Sequence, residues 1–387
     1  MRLARWMQCV CFTAALLMLS CGHTARTTTE HTATDRLREP AVHDRYPDDV
    51  GRFLAGLPAR SGSSLAGLQT QDAWVQHRVE LDHDWNRIER EGLPAMREFQ
   101  KSELAGQNPT APLFYPFSGP DSLMMTVFFP RAPVYVMIGL EPAGTLPTPA
   151  QLAEKDLPTY LPEIRSTVSS VLGRSFFITR QMDRQFRGQV TDGLLVPILQ
   201  LLVRSGHTIL GLRYVRLDHA GQIIERAADY KAPGHIGNKG VELEFRSDDD
   251  QSIHKLFYFS VNLSDERLRQ NPQFVRFSST LQGTTTYLKA TSYMTHHPDF
   301  SIIRDIVLSR SMAVLQDDSG IPYQLYKPPW RVQLYGEYVR AYGSFKWLEQ
   351  PDLRNAYLSS KPRPLPFRIG YGYGRVESNL LFATRAK

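Results

Sequence analysis

The chain has 387 residues, with 45 Lys and Arg against 39 Asp and Glu, which leaves a net charge of +6. Acidic residues stand among the basic ones throughout, so no basic block marks a nucleic-acid surface and no nucleic-acid partner is expected. The length is ample for a hydrophobic core, and no fixed-period repeat points to a solenoid or propeller.

Residues 1–20 read as an export signal. Arg2 and Arg5 give a positive start, and Val10 to Leu19 is an apolar run too short to span a bilayer comfortably. The run ends Leu17-Met18-Leu19-Ser20-Cys21, which resembles the lipobox of bacterial lipoproteins. The resemblance implies cleavage before Cys21 and a diacylglyceryl group on its sulfur, and it concerns the leader alone. Cysteine usage agrees: the chain holds only Cys9, Cys11 and Cys21. The mature chain would then have one Cys, no internal disulfide, and a need for a real core. The alternative is that all three are small residues of an uncleaved membrane anchor. Loss of the leader takes Arg2 and Arg5, so the charge becomes 6 − 2 = +4. In such lipoproteins an Asp after the Cys usually signals inner-membrane retention. Gly22 stands there instead, and the outer membrane, facing the periplasm, is the expected place.

Residues 21–70 read as a flexible tether. "HTARTTTEHTATD" is Thr-rich and "LPARSGSSLAG" is small and polar, compositions that bury too little surface to order themselves. A short helix over 48–57 is expected to dock on the body. From Thr70 the apolar residues Trp74, Val75, Val79, Trp85, Ile88, Leu93, Met96 and Phe99 recur at helical spacing through Leu104. Gly92-Leu93-Pro94 should break or kink that helix.

Residues 113–117 read as a short buried strand. Ser118-Gly119-Pro120-Asp121 turns it, and Asp121 or Ser118 can cap a helix over 122–129. Residues 134–140 are a second apolar strand. A strand, a helix and a strand in about thirty residues form a βαβ unit with parallel strands buried on both faces. Helices are expected over 160–172, 175–186 and 192–204. Hairpins follow, one turning at Asp218-His219-Ala220-Gly221 and one at "RSDDDQS". A strand over 284–289 precedes a helix over 299–310 capped by Asp299 or Ser301. Residues 312–315, 322–326, 331–338 and 365–373 read as further strands. The expected fold class is α/β: a mixed β-sheet with an N-terminal βαβ, Rossmann-like unit and later antiparallel hairpins. It occupies residues 71–387 as one body, or as two lobes dividing near residue 206.

Ser118, Gly119 and Asp121 would lie at the carboxyl end of one strand and Glu141 at the end of its neighbour, where doubly wound sheets bind ligands. An acid ending the second strand can accept ribose hydroxyls. "FSGPD" and "GLEP" thus look like the opening of Rossmann-like nucleotide or methyl-donor enzymes. Against a phosphate ligand stand the single turn glycine and Pro120, which offers no amide. An envelope compartment is also poor in such cofactors, so none is expected. The plain alternative is a tight turn with Asp121 as helix cap.

Asp317 and Asp318 in "VLQDDSGIPY" are a hairpin turn or, for either one, a general base. His296, His297 and Asp299 in "MTHHPDF" lack metal-site spacing and read as a loop before a helix, so no metal site is expected. If a His met Asp317 in space, a hydrolytic site would become credible. The Gly-rich loop 231–240, with His235, is a hairpin connection or a mobile lid and not a P-loop. Late aromatics such as Tyr323, Trp330, Trp347 and Tyr371 suit a strand-rich core or glycan stacking.

These readings converge on a lipid-anchored protein of the bacterial cell envelope, held to the membrane through Cys21, whose body binds an envelope protein or polymer. The whole pattern resembles uncharacterised bacterial lipoprotein families, a likeness that implies no activity. A carboxylate- or metal-dependent hydrolase using Asp317, Asp318, His297 and Asp121 is one alternative. A Rossmann-like nucleotide- or methyl-donor-dependent transferase is another, if the chain is not exported.

Overall fold

The computed structural model describes residues 44–106, 110–174, 192–228, 239–341, 343–372 and 377–385. Cys21, the helix expected over 175–186, and His235 with most of its loop lie outside the described residues.

Among the described residues, ten strands form one sheet in the order β4-β3-β5-β6-β2-β1-β7-β8-β10-β9. They are β1 (Leu113–Tyr115), β2 (Val134–Gly139), β3 (His207–Leu217), β4 (Ile223–Glu225), β5 (Lys239–Ser247), β6 (Ile253–Ser260), β7 (Thr284–Leu288), β8 (Ser311–Gln316), β9 (Trp330–Gly336) and β10 (Asn379–Arg385). The central five, β6-β2-β1-β7-β8, are parallel. Antiparallel pairs extend both ends, through β5, β3 and β4 on one side and β10 and β9 on the other. The fold is therefore the expected mixed α/β class.

The expected first unit is present. β1 and β2 are parallel in the register Leu113↔Tyr135, joined by a helix over Ser122–Phe128. Every residue of both strands is buried, which is why they read as unbroken apolar runs rather than alternating ones. Their pleat feeds two cores. Leu113, Tyr115, Tyr135 and Met137 face one layer; Phe114, Val134, Val136 and Ile138 face the other.

Along the chain the helices are α1 (Tyr46–Leu54), α2 (Asp72–Glu91), α3 (Leu93–Phe99), α4 (Ser122–Phe128), α5 (Pro149–Ala153), α6 (Leu157–Arg174), α7 (Leu195–Arg204), α8 (Asp265–Gln270), α9 (Pro272–Thr280), α10 (Ser301–Arg310) and α11 (Pro351–Ser359). Residues of α3, α4 and α7 cover the first face, and residues of α8 to α11 cover the second. Gly92 separates α2 from α3, as Gly-Leu-Pro predicts. None of the described helices is long and apolar enough to cross a membrane.

Four expectations change. From Tyr46 the stretch read as tether is packed onto the body: Val50, Phe53 and Leu65 are buried, and Asp48 accepts from the Ile209 amide at 2.8 Å and pairs with Arg60 at 2.6 Å. The helix expected over 48–57 does dock on the body, as Tyr46–Leu54; composition missed the stretch beyond it, where Leu65 is a single buried residue in a small, polar segment. Residues 322–326 form a 3-10 turn, Tyr323–Leu325, since Pro322 has no amide for a ladder. Of the strand expected over 365–373, the described residues 365–372 are irregular, ending in a turn at Gly370–Gly372, and the last strand lies later, at Asn379–Arg385. Finally, α10 is capped by neither Asp299 nor Ser301. Asp265 of α8 accepts from the Ser301 hydroxyl and, at 2.9 Å, from the Ile302 amide.

Candidate functional site: a crevice at the switch point

Successive parallel strands proceed from β1 to β2 to β6 in one direction and from β7 to β8 in the other. The order therefore reverses between β1 and β7, and a crevice opens outside the carboxyl ends of strands at such a reversal. It is there: a cavity of about 660 Å³ is lined by Phe117, Ser118, Gly119 and Asp121 after β1, Gly139–Glu141 at the end of β2, Val261–Ser264 after β6, and Lys289–Ser292 after β7. Phe300, Ser344, Phe345 and Tyr371 form the remaining wall.

Each expected crevice residue has a distinct place. Ser118 is buried and pins its loop to β2. Its hydroxyl donates to the Ile138 carbonyl and accepts from the Ile138 amide, both at 3.1 Å. Gly119 has φ +52°, and a Cβ there would meet only open space, so the turn approaches the cavity with bare backbone. Glu141 stands at the rim, half-buried. Asp121 is the cap of α4, accepting from the Met124 amide at 3.3 Å. It also accepts from the Tyr115 hydroxyl at 2.8 Å and forms an ion pair with Lys289. Both charged partners are almost fully buried, and with Tyr115 they line the cavity. The cap and the crevice readings of Asp121 thus describe the same side chain. Burial first, then the Asp121 charge, holds the Tyr115 phenol well above its usual range, so it stays a donor.

Strain gathers at the same place. Phe117, Ala290, Ser292 and Tyr293 all have φ between +50° and +62°, a region that costs a non-glycine residue on the order of 1–3 kcal/mol. What holds the 290–293 loop is Asp317. Fully buried, it accepts from the Ala290 amide at 2.8 Å and from the Ser319 amide and hydroxyl. The Tyr371 hydroxyl accepts from the Ser292 amide at 3.0 Å and donates to the Ala290 carbonyl at 3.1 Å. Gly370, beside it, has φ +58°, and a Cβ there would collide with the Asp317 carboxylate.

Asp318 points elsewhere, as adjacent residues must. It accepts from the Tyr293 hydroxyl and the Asn379 amide, while its own amide donates to Asn379 at 2.9 Å. Burial and the neighbouring Asp317 charge push its carboxyl up to about 7. Burial likewise raises Asp317, opposed by its hydrogen bonds from Ser319 and Ala290. Neither Asp lines the cavity. They sit behind it and brace its strained wall.

The histidines do not join this group. The His297 ring packs edge-on against Trp347 at 5.2 Å, and Asp299 is exposed. His296 is the nearer one, 5.1 Å from the Tyr293 ring, and burial drives it down to about 4, so it is neutral. Among the described residues no three His, Cys, Asp or Glu gather to hold a metal.

The geometry adds Tyr115, Lys289, Tyr293 and Tyr371. Tyr371 stood among the late aromatics suited to stacking, and Lys289 left a signal as a charge directly after the buried run "TTTYL", at the end of a strand that the sequence predicts. No family model, no curated protein and no solved structure matches this chain.

Proposed function

We propose that this is a lipid-anchored envelope protein whose Rossmann-like body binds a small, hydroxyl-bearing ligand in the crevice between β1 and β7. The observation that carries the reading is the cavity at the switch point, with an acid, Glu141, ending the second strand. A carboxylate there accepts two neighbouring hydroxyls, whether of a ribose or of an envelope sugar. Tyr115 and Lys289, both engaged with Asp121, form the floor, and Phe117, Phe300, Phe345 and Tyr371 offer flat walls. Binding is favoured over hydrolysis because Asp121 is fully engaged and Asp317 and Asp318 stand behind the wall. The lipid on Cys21 places the body at a membrane, and it rests on the Leu17–Cys21 resemblance.

A second reading has a specific observation behind it. The order β6-β2-β1-β7-β8-β10-β9, reversed only at β10, resembles the sheet of Rossmann-like methyl-donor transferases across its length and not only in the first unit. The residues fit a nucleoside-bearing donor: Glu141 toward its ribose and the backbone at Gly119 toward its remaining part. A sulfonium donor would supply the methyl group; this chain would supply orientation and water exclusion.

The test is calorimetric titration of the folded chain with adenosine, S-adenosylmethionine and N-acetylglucosamine oligomers, against Glu141→Ala. Saturable binding weakened at least tenfold by the substitution supports the crevice, and the preferred probe decides between the two readings. Binding of none of them sinks both. The anchor is checked separately by labelled palmitate and fractionation of wild type and Cys21→Ala. Label and membrane association confined to wild type support it.

A further inference from the structure

Resting on the crevice reading, we infer that the site takes a chain of sugar rings, with one unit in the crevice and the next stacked on Trp347 at its mouth. Among the described residues Trp347 is the one exposed aromatic side chain, at 64 %. Two contacts fix its place. The indole Nε1 donates to the Ser344 carbonyl at 2.9 Å, and the ring meets His297 at 5.2 Å with the planes at 74°. Ser344 and Phe345, just before Trp347, line the cavity, as do Met294 and Phe300, which precede and follow His297. Trp347 therefore joins two segments of the crevice wall, yet it does not itself line the cavity. It stands on the lip.

A single apolar side chain on a surface needs no ligand to explain it. Position sets this one apart. Val79 and Leu358 are comparably exposed, but neither α2 nor α11 contributes to the lining. Leu140, 59 % exposed, does line the cavity, at the end of β2. Apolar surface thus continues outward from the crevice at both residues. An indole held by its own N–H and braced on a neighbouring ring is a flat plate that loses little freedom when covered. The C–H face of a sugar ring is apolar and its edge carries hydroxyls. Such a ring covers the plate while its edge stays in water or meets the polar rim of Asn262, Ser264 and Ser344. Because the plate lies outside the cavity, filling both takes at least two linked units. The link makes the second contact intramolecular, so it adds to affinity at little further cost.

The experiment titrates N-acetylglucosamine, its dimer and its trimer into the folded chain by calorimetry, alongside adenosine. The expected result is a dimer that binds about tenfold tighter than the monomer. Trp347→Ala should erase that gain, so that its penalty grows with chain length. Trp347→Phe, which keeps a plate without the N–H, should retain part of it. Indole emission that shifts to the blue on dimer binding in wild type, and not in Trp347→Phe, marks the stacked ring directly. Equal affinities along the series, or one penalty from Trp347→Ala for every length, overturn the inference and leave the crevice reading standing. Binding of adenosine without binding of any sugar overturns it as well. Binding of no probe removes the crevice reading, and the inference falls with it.

Discussion

On β5, the buried Glu242 holds Lys255 at 3.2 Å and Arg213 at 2.6 Å; after β1, the buried Asp121 holds Lys289. Both are carboxylate–cation clusters built around a buried carboxylate. Glu242 lies in the middle of an antiparallel ladder, and none of its partners lines the crevice. Asp121 lies where the parallel strands end. It caps a helix, binds a tyrosine, and shows one edge to a cavity. The difference teaches that a buried ion pair marks a site only through its position in the topology. The antiparallel cluster ties neighbouring strands together, whereas the switch-point cluster builds a floor.

The comparison breaks most sharply at the ion pairs. Glu242→Ala strands two cations and should destabilise by about 3–5 kcal/mol in a denaturant titration, with crevice affinity unchanged in the folded fraction. Lys289→Met should cost a similar amount and also abolish ligand binding. Equal effects of the two substitutions on binding would erase the distinction. Next in size, Gly370→Ala drives a methyl into Asp317 and should lose at least about 2 kcal/mol. It should also raise amide exchange across residues 290–293, which Glu242→Ala should leave unaltered.

Asp318 sharpens the comparison through pH. Its folded pKa of about 7 lies above the unfolded value, so the folded state holds the extra proton. That stabilisation is complete below about pH 4 and is lost as the pH rises to about 7. His77 and His296, both lowered to about 4 by burial, act oppositely over pH 4 to 6.5. The informative quantity is therefore the difference between wild type and Asp318→Asn. Relative to the variant, wild type should lose stability from pH 4 to 7; a flat difference refutes the assignment. Smallest of all, Glu141→Gln should leave stability within about 0.5 kcal/mol of wild type.

Local pattern carried the centre of this fold and not its rim. β1 and β2 were legible because a parallel strand buried on both faces must be a continuous apolar run. Asp121 as a cap was legible for a local reason too: the turn precedes its helix directly. β10 was hidden because "NLLFATR" follows a Gly-rich stretch that reads as more strand-like than it is. The roles of Asp317 and Asp318 were hidden for a different reason. "DDSG" is good turn chemistry by itself, and only Ala290, Tyr293 and Asn379, brought from elsewhere, turn those carboxylates into braces. A polar residue's function depends on partners far along the chain, and local sequence does not record them.

The seam between β1 and β7 joins Leu113 to Thr285 and Phe114 to Thr286. The floor of the crevice is thus stitched from segments more than a hundred and fifty residues apart in sequence, while β2 lies close to β1. Closing so long a loop is a late and entropically costly event, so the pocket should be among the last features to form as the chain folds. A nascent chain that has emerged only through β6 holds half a binding site, and occupancy of the crevice would report that folding is complete.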